Sequence, residues 1–342
     1  MSQRRTILTA ALLGASLILS APGLKAQDVH FSQFYEAQLY QNPALAGLFT
    51  GDVHVQALFR NQWTSISTPY QTGYFSGEYK LPVGVQNDYI TLGGQVLYDQ
   101  AGTAALITTI VEPAINYMKS LNEDKETYLS VGFMGGFTQR RIDESKITTD
   151  YQYDNPGSYN GENFATTSTT YLDGAAGISF STALGPDNQD HLYAGVSYDH
   201  FNKPKSSFYN DQTVELQPKW IFSAGVKLHI SDETFAEFHA DHMEQGPYRE
   251  TMAGGLFSVK FGDPDDPDYV LGLGAFIRWQ SDFIPVVKWS YRPFTVSLSY
   301  DANISTLSVA SQGRGGYELG VSYLAFTRMS TSTKNSTACP EF

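Results

Sequence analysis

The sequence predicts an all-β fold: a single transmembrane antiparallel β-barrel of about fourteen strands, preceded by a short N-terminal plug or periplasmic segment. Three observations carry this expectation. Apolar residues alternate with small and polar ones from residue 52 almost to the end, an export signal opens the chain, and the three longest connections all fall at odd places in the order while several even ones are short. Some tight odd connections and some middling even ones interrupt that tendency. Phe294, Val296, Leu298 and Tyr300 fall on one face of a strand while Thr295, Ser297, Ser299 and Asp301 fall on the other, because strand side chains alternate with period two. Lipid against the first set and a lumen against the second explain the pattern without a conventional core.

The chain opens with Arg4 and Arg5, an apolar run over 7–19, Pro22 and Gly23, and then Leu24, Lys25 and Ala26. A positive n-region, an apolar stretch too short to span as a helix and a small residue at the cut make a signal peptide. Cleavage after Ala26 starts the mature chain at Gln27 and assigns 1–26 to the signal, 27–51 to the N-terminal segment, 52–328 to the barrel and 329–342 to a periplasmic tail. The residue at the cut is Gln27 rather than cysteine, so a lipoprotein anchor is not indicated; the lone Cys339 excludes an intramolecular disulfide.

Strand-period runs fall near 52–62, 70–81, 88–99, 104–118, 126–140, 169–182, 190–201, 218–230, 234–244, 249–262, 268–280, 283–292, 293–303 and 315–327. If the first strand rises from the periplasm, odd connections lie outside the cell and even ones inside. The long connections 141–168, 202–217 and 304–314 are odd; the tight ones at 231–233, 263–267 and Arg292–Pro293 are even. Outer-membrane barrels have short periplasmic turns and longer external loops. The longest loop carries Tyr151, Tyr153 and Tyr159 among Asn, Ser and Gly, a composition suited to adaptable contact, and is the candidate extracellular partner loop.

Composition agrees with a barrel. Charged residues are only 17% of the chain, against roughly 25% in soluble domains. A mean hydropathy of -0.26 is no objection, since lipid-facing residues occupy only alternate positions. A net charge of -13 disfavours nucleic acid as a partner, because Lys and Arg clusters are what displace phosphate counterions.

Catalysis and metal binding find little support. Glu237, His239 and Asp241 share one strand face, but one strand supplies no closed metal site and a polar lumen produces the same pattern. Asp263, Asp265, Asp266 and Asp268 are interrupted by Pro264 and Pro267 and lack an EF-hand register. No nucleophile elbow or phosphate loop is present. The expectation is no catalytic residue, no cofactor and no metal.

The segment before the first strand is not required by barrel physics. It reads His30-Phe31-Ser32-Gln33-Phe34-Tyr35, then Leu39-Tyr40-Gln41-Asn42-Pro43-Ala44, then Ala46-Gly47. With Phe59-Arg60-Asn61-Gln62-Trp63, the late run Gly315 to Gly320 and the ending Cys339-Pro340-Glu341-Phe342, it resembles the PorP/SprF family of type IX secretion system membrane proteins. The resemblance implies a non-enzymatic outer-membrane barrel that docks or retains large secreted adhesins and surface proteins. It also implies links to gliding motility and to periplasmic, peptidoglycan-linked components, with outer-membrane lipid around the wall. From the residues themselves, Phe31, Phe34, Tyr35, Leu39 and Tyr40 are too apolar for a free tail, so the segment is expected to fold into the periplasmic mouth or lumen, with Asn42-Pro43 turning it toward the first strand. Phe31, Ser32, Gln33, Phe34, Tyr35, Asn42 and Pro43 are the candidate plug and machinery-contact residues. The alternative is a fatty-acid-transporter-like barrel for hydrophobic compounds; a continuous apolar path through the lumen would favour it.

Overall fold

The computed structural model describes residues 28–63, 68–84, 87–103, 105–306 and 308–326. The expected signal peptide, the tail from 329 and Cys339 lie outside the described residues. Fourteen strands form one closed barrel. They are β1 (Val53–Gln62), β2 (Tyr70–Val83), β3 (Asp88–Ala101), β4 (Leu106–Asn122), β5 (Thr127–Arg141), β6 (Ser168–Leu184) and β7 (Asp190–Asp199). The second half contributes β8 (Lys219–Ser231), β9 (Thr234–Gln245), β10 (Tyr248–Asp263), β11 (Asp266–Arg278), β12 (Asp282–Tyr291), β13 (Phe294–Asn303) and β14 (Arg314–Ala325). Each strand pairs antiparallel with the next, and β14 closes on β1 from Val53↔Ala325 to Gln62↔Gly316. Closure removes the unpaired strand edges that hydrocarbon cannot tolerate.

The alternation read from the sequence sorts the wall into two chemistries. In β13, Phe294 and Leu298 are each 52% exposed on the outside, whereas Ser297 and Ser299 are 2% and 1% exposed on the inside. The same holds around the barrel, with Phe75, Leu92, Phe133, Leu172, Phe257 and Leu273 outward and Ser76, Thr91, Gln95, Asn116, Ser130 and Ser258 inward. An apolar belt of this extent calls for lipid rather than water. No described helix is long and apolar enough to cross a membrane; the strands are the crossing elements.

In an antiparallel meander, alternate connections share an end. The even connections are 84–87, 123–126, 185–189, 232–233, 264–265 and 292–293, all tight, and they define a short-turn end. The opposite end carries 142–167, 200–218 and 304–313, together with tight connections at 246–247 and 279–281.

A fourteen-strand wall encloses more space than its own side chains fill. The chain's first described residues occupy it. Three single turns, Phe34–Glu36, Gln38–Gln41 and Pro43–Leu45, follow one another, and every residue from Phe31 to Phe49 is buried. Helical turns this short persist only through packing. Asn42 caps the last of them, its Oδ1 accepting from the Ala44 amide at 2.8 Å, with Pro43 at the first position where a missing N–H costs nothing. A turn at Asn42-Pro43 was expected. The expectation left a periplasmic position open, but the segment lies inside the lumen along its length. It starts near the long-loop end at Asp28 and descends to Asp52, whose carbonyl accepts from the Lys80 amide at 2.8 Å before β1 climbs back.

Candidate functional site

The plug is seated from the bottom upward by three different kinds of contact. In the short-turn half, the plug lies directly on the wall backbone. A Cβ at Gly132 would lie 2.3 Å from the Pro43 carbonyl carbon, and one at Gly177 would lie 1.9 Å from Asn42 Oδ1, so both wall positions must be bare for the plug to fit. Wall side chains then take up the carbonyls that so short a helical segment leaves without partners. Asn116 Nδ2 donates to the Ala44 and Ala46 oxygens at 3.3 and 2.6 Å, and Ser179 Oγ donates to the Ala44 oxygen at 2.8 Å. The Gly47 amide donates to Glu78 at 2.8 Å, while Lys80 Nζ donates to the carbonyls of Gly47 and Phe49.

At mid-height, aromatic packing joins a charged clamp. Phe34 meets Phe276 edge-on at 5.6 Å, and Tyr35 stacks on Phe276 at 4.8 Å and on His239 at 5.1 Å. Phe31 packs against Tyr74 at 5.5 Å and Tyr40 at 5.6 Å. Burial of each large side chain contributes roughly 1.5–3 kcal/mol relative to exposure in water. The Glu318 carboxylate accepts from the amides of both Ser32 and Gln33 at 2.8 Å, and Gln33 Nε2 reaches the Glu318 carbonyl at 3.0 Å and Ser299 Oγ at 3.2 Å. Charge-assisted bonds to backbone amides are among the stronger ones available. His239, weighed above as a metal ligand, is engaged with Tyr35 and with the Tyr193 hydroxyl at 3.2 Å.

Toward the long-loop end the contacts become ionic. Arg60 donates to the His30 carbonyl at 2.5 Å and to Asp301 at 2.8 Å; Arg278 donates to Asp282 at 2.6 Å and to Ser32 Oγ at 3.1 Å. Burial and then the Arg278 and Arg60 guanidinium groups push the His30 imidazole well below its usual range, so its 4.0 Å approach to Glu250 is not an ion pair. Asp28 is held by His200 Nε2 at 2.7 Å and by Lys219 Nζ at 3.1 Å. Although burial raises its carboxyl pKa, those two cations outweigh burial and hold it well below the carboxylate range.

Above Asp28, Val29, His30 and Tyr40 a vestibule of about 720 Å³ occupies the long-loop half. Its wall mixes Asp99, Glu112, Arg140 and Arg249 with Trp63, Tyr171 and Trp279, rather than presenting a continuous apolar path.

Two loops rise beside the vestibule. Tyr151, Tyr153 and Tyr159 are 48%, 87% and 68% exposed on the first, around the helical turn Asp150–Asp154, with the Tyr151 and Tyr159 rings 5.9 Å apart. The second, 200–218, packs on it. Phe164 and Tyr209 rings lie 5.2 Å apart, the Tyr209 hydroxyl donates to Glu162 at 2.7 Å, and the Thr166 amide donates to the Phe208 carbonyl at 3.0 Å.

All seven candidate plug residues therefore lie together in the lumen, and the three tyrosines lie outside it, on a loop at the long-loop end. Sequence reasoning missed their receptors. Arg60 and Glu318 stand inside two of the motifs that carried the family resemblance, and charged residues at lumen-facing strand positions were the available signal; Asp28, His200 and Lys219 had none.

The family model described as type IX secretion system membrane protein PorP/SprF matches residues 23–323. No curated protein sequence matches the chain. Among solved structures, the toluene transporter TbuX of Ralstonia pickettii is 8% identical, with a TM-score of 0.52 over 84% of this chain and 92% of that one. The P. putida toluene transporter TodX is 9% identical, with a TM-score of 0.52 over 84% and 93%. At such identity the likeness concerns the fold alone. Matched over residues 23–323 by one family model, the chain belongs to the type IX secretion system membrane protein PorP/SprF family.

Proposed function

We propose that this protein is a non-enzymatic outer-membrane docking component of type IX secretion, which retains a large secreted surface protein or adhesin at its long-loop face. The observation that carries this reading is the filled lumen: every residue from Phe31 to Phe49 is buried inside the wall, so the chain itself occupies the space a cargo would need. Partner contact then falls to the outside, where Tyr151, Tyr153 and Tyr159 offer large, stiff, amphipathic side chains beside flexible polar ones. The long-loop end faces the exterior and the short turns face the periplasm and its peptidoglycan-linked components, as loop lengths in outer-membrane barrels run. A role in gliding motility belongs to the same proposal, through the surface adhesins retained.

Uptake of a hydrophobic compound is the competing reading, prompted by the fold shared with the toluene transporters. It fits less well, because an apolar solute in the vestibule would strip water from the carboxylates and guanidinium groups that line it. Deletion of the gene, with complementation by wild type and by a Tyr151→Ser, Tyr153→Ser, Tyr159→Ser variant, tests the two. Loss of a surface protein on deletion, restored by wild type and not by the variant, is the expected result. Unchanged surface proteins together with failed hydrocarbon uptake would overturn it.

A further inference from the structure

The plug's leading end and the second partner-side loop are joined through one residue. His200 is the first residue after β7, and its two ring nitrogens face carboxylates on different elements: Nδ1 lies 2.5 Å from Asp173 on the wall, and Nε2 lies 2.7 Å from Asp28 on the plug. Both nitrogens can donate only if the ring is the imidazolium. Lys219, the first residue of β8, spans Asp28 at 3.1 Å and Asp199 at 3.3 Å. Thus the two residues that grip Asp28 stand at the two roots of the loop 200–218. That loop is also the one packed against the tyrosine loop through Tyr209, Phe208, Phe164 and Glu162.

The backbone at the grip is not relaxed. His200 has φ 57°, a left-handed conformation that a non-glycine residue adopts at a cost, and Lys203 three residues on has φ 47°. Such a conformation persists only while surrounding contacts hold it. Here those contacts are the two carboxylates, the turn closed by the Lys203 amide on the His200 carbonyl at 2.9 Å, and the hydrogen bonds of Phe201 to the Gly174 carbonyl at 3.3 Å and of Asn202 to the Leu172 carbonyl at 2.7 Å. Moving the loop outward therefore breaks an ion pair at its root.

We propose that His200 is a latch by which engagement of the long-loop face is passed to the plug: displacement of the loop 200–218 withdraws the imidazolium from Asp28 and frees the plug's leading residues into the vestibule. This inference rests on the docking reading for what displaces the loop. From His30 down the plug is fastened by contacts that the loop does not touch, at Arg60, Glu318, Asn116, Gly132 and Gly177, so the residues the latch frees are Asp28 and Val29. Release is accordingly local. It changes what the floor of the vestibule presents to a bound partner without opening the barrel.

The test follows labelling of the plug's leading end in the full chain. In a Cys339→Ser background, Val29→Cys places a thiol beside the latch, to be reacted from the long-loop side with a membrane-impermeant maleimide. His200→Asn and Asp28→Asn should each raise the labelling rate about tenfold or more, the scale set by losing a hydrogen-bonded charge. Retention of the heat-modifiable gel shift shows that the barrel is still folded. A protease site placed between Asn210 and Asp211, once cut, should raise the rate likewise, whereas a cut between Pro264 and Asp265 at the other end should not. Unchanged labelling in both latch variants overturns the latch, and faster labelling in those variants with no effect of the loop cut overturns the coupling. None of these readings needs a partner, so the latch can fail while retention of surface proteins still depends on the tyrosine loop, and the reverse.

Discussion

The two halves of the lumen hold one short segment by different chemistry. In the short-turn half the plug sits directly on two bare wall positions, Gly132 and Gly177, and Asn116, Ser179, Glu78 and Lys80 take up its peptide groups. In the long-loop half the plug retreats to a floor, Asp28 to His30, held by charged side chains beneath a vestibule. Close backbone packing tolerates no displacement, because interiors are dense and a lost fit is not recovered by small shifts. Ion pairs at a partly wet floor can break and re-form. The tightly packed half and the ion-paired half of this lumen are therefore separate, and they meet at mid-height, at Glu318.

Breaking that boundary should have the largest effect. Glu318→Ala leaves the Ser32 and Gln33 amides buried without an acceptor, at about 1–3 kcal/mol each. A lower unfolding midpoint and faster proteolysis of the plug are expected, and an unchanged midpoint would show that mid-height is not a fastening point. Next comes Gly132→Val, which drives a side chain into the Pro43 backbone and should cost about 1–3 kcal/mol or expel the turn Pro43–Leu45. Hydrogen exchange over 38–47 reads the outcome, with protection lost there before it is lost at Asp28.

The pH response should separate the halves. Burial lowers the His200 pKa, but Asp28 and Asp173 outweigh it and raise the group from 6.5 to about 10. A raised folded-state pKa contributes stability that is full below about pH 6.5 and is lost as pH rises through about 10. Exchange protection at Asp28 to His30 should therefore fall in alkaline buffer while that of 42–47 stays level. Smallest of all is Tyr153→Ser at a residue 87% exposed, expected to move stability by no more than about 0.5 kcal/mol while weakening partner retention.

How much of this was legible in the sequence follows the same divide. The wall was readable strand by strand, because period-two alternation is local and lipid enforces it; each of the fourteen expected runs has its strand. The plug was readable as an apolar stretch that had to be covered, but its reach to the long-loop end was not. Its fastenings join residues as far apart as Ser32 and Glu318, and no local pattern encodes which lumen-facing charge meets which turn. Asp28, His200 and Lys219 were silent for a related reason: each is unremarkable in its own stretch, and only barrel closure brings them together.

The lumen is filled by the chain's own N-terminal segment, Phe31 to Phe49. Conductance of the purified full-length protein in a planar lipid bilayer tests it most directly. The expected trace shows no sustained open level for the wild type and a stable conducting level once residues 31–47 are replaced by a short Gly-Ser linker. A wild-type protein that conducts steadily, at the level of the linker variant, would contradict it.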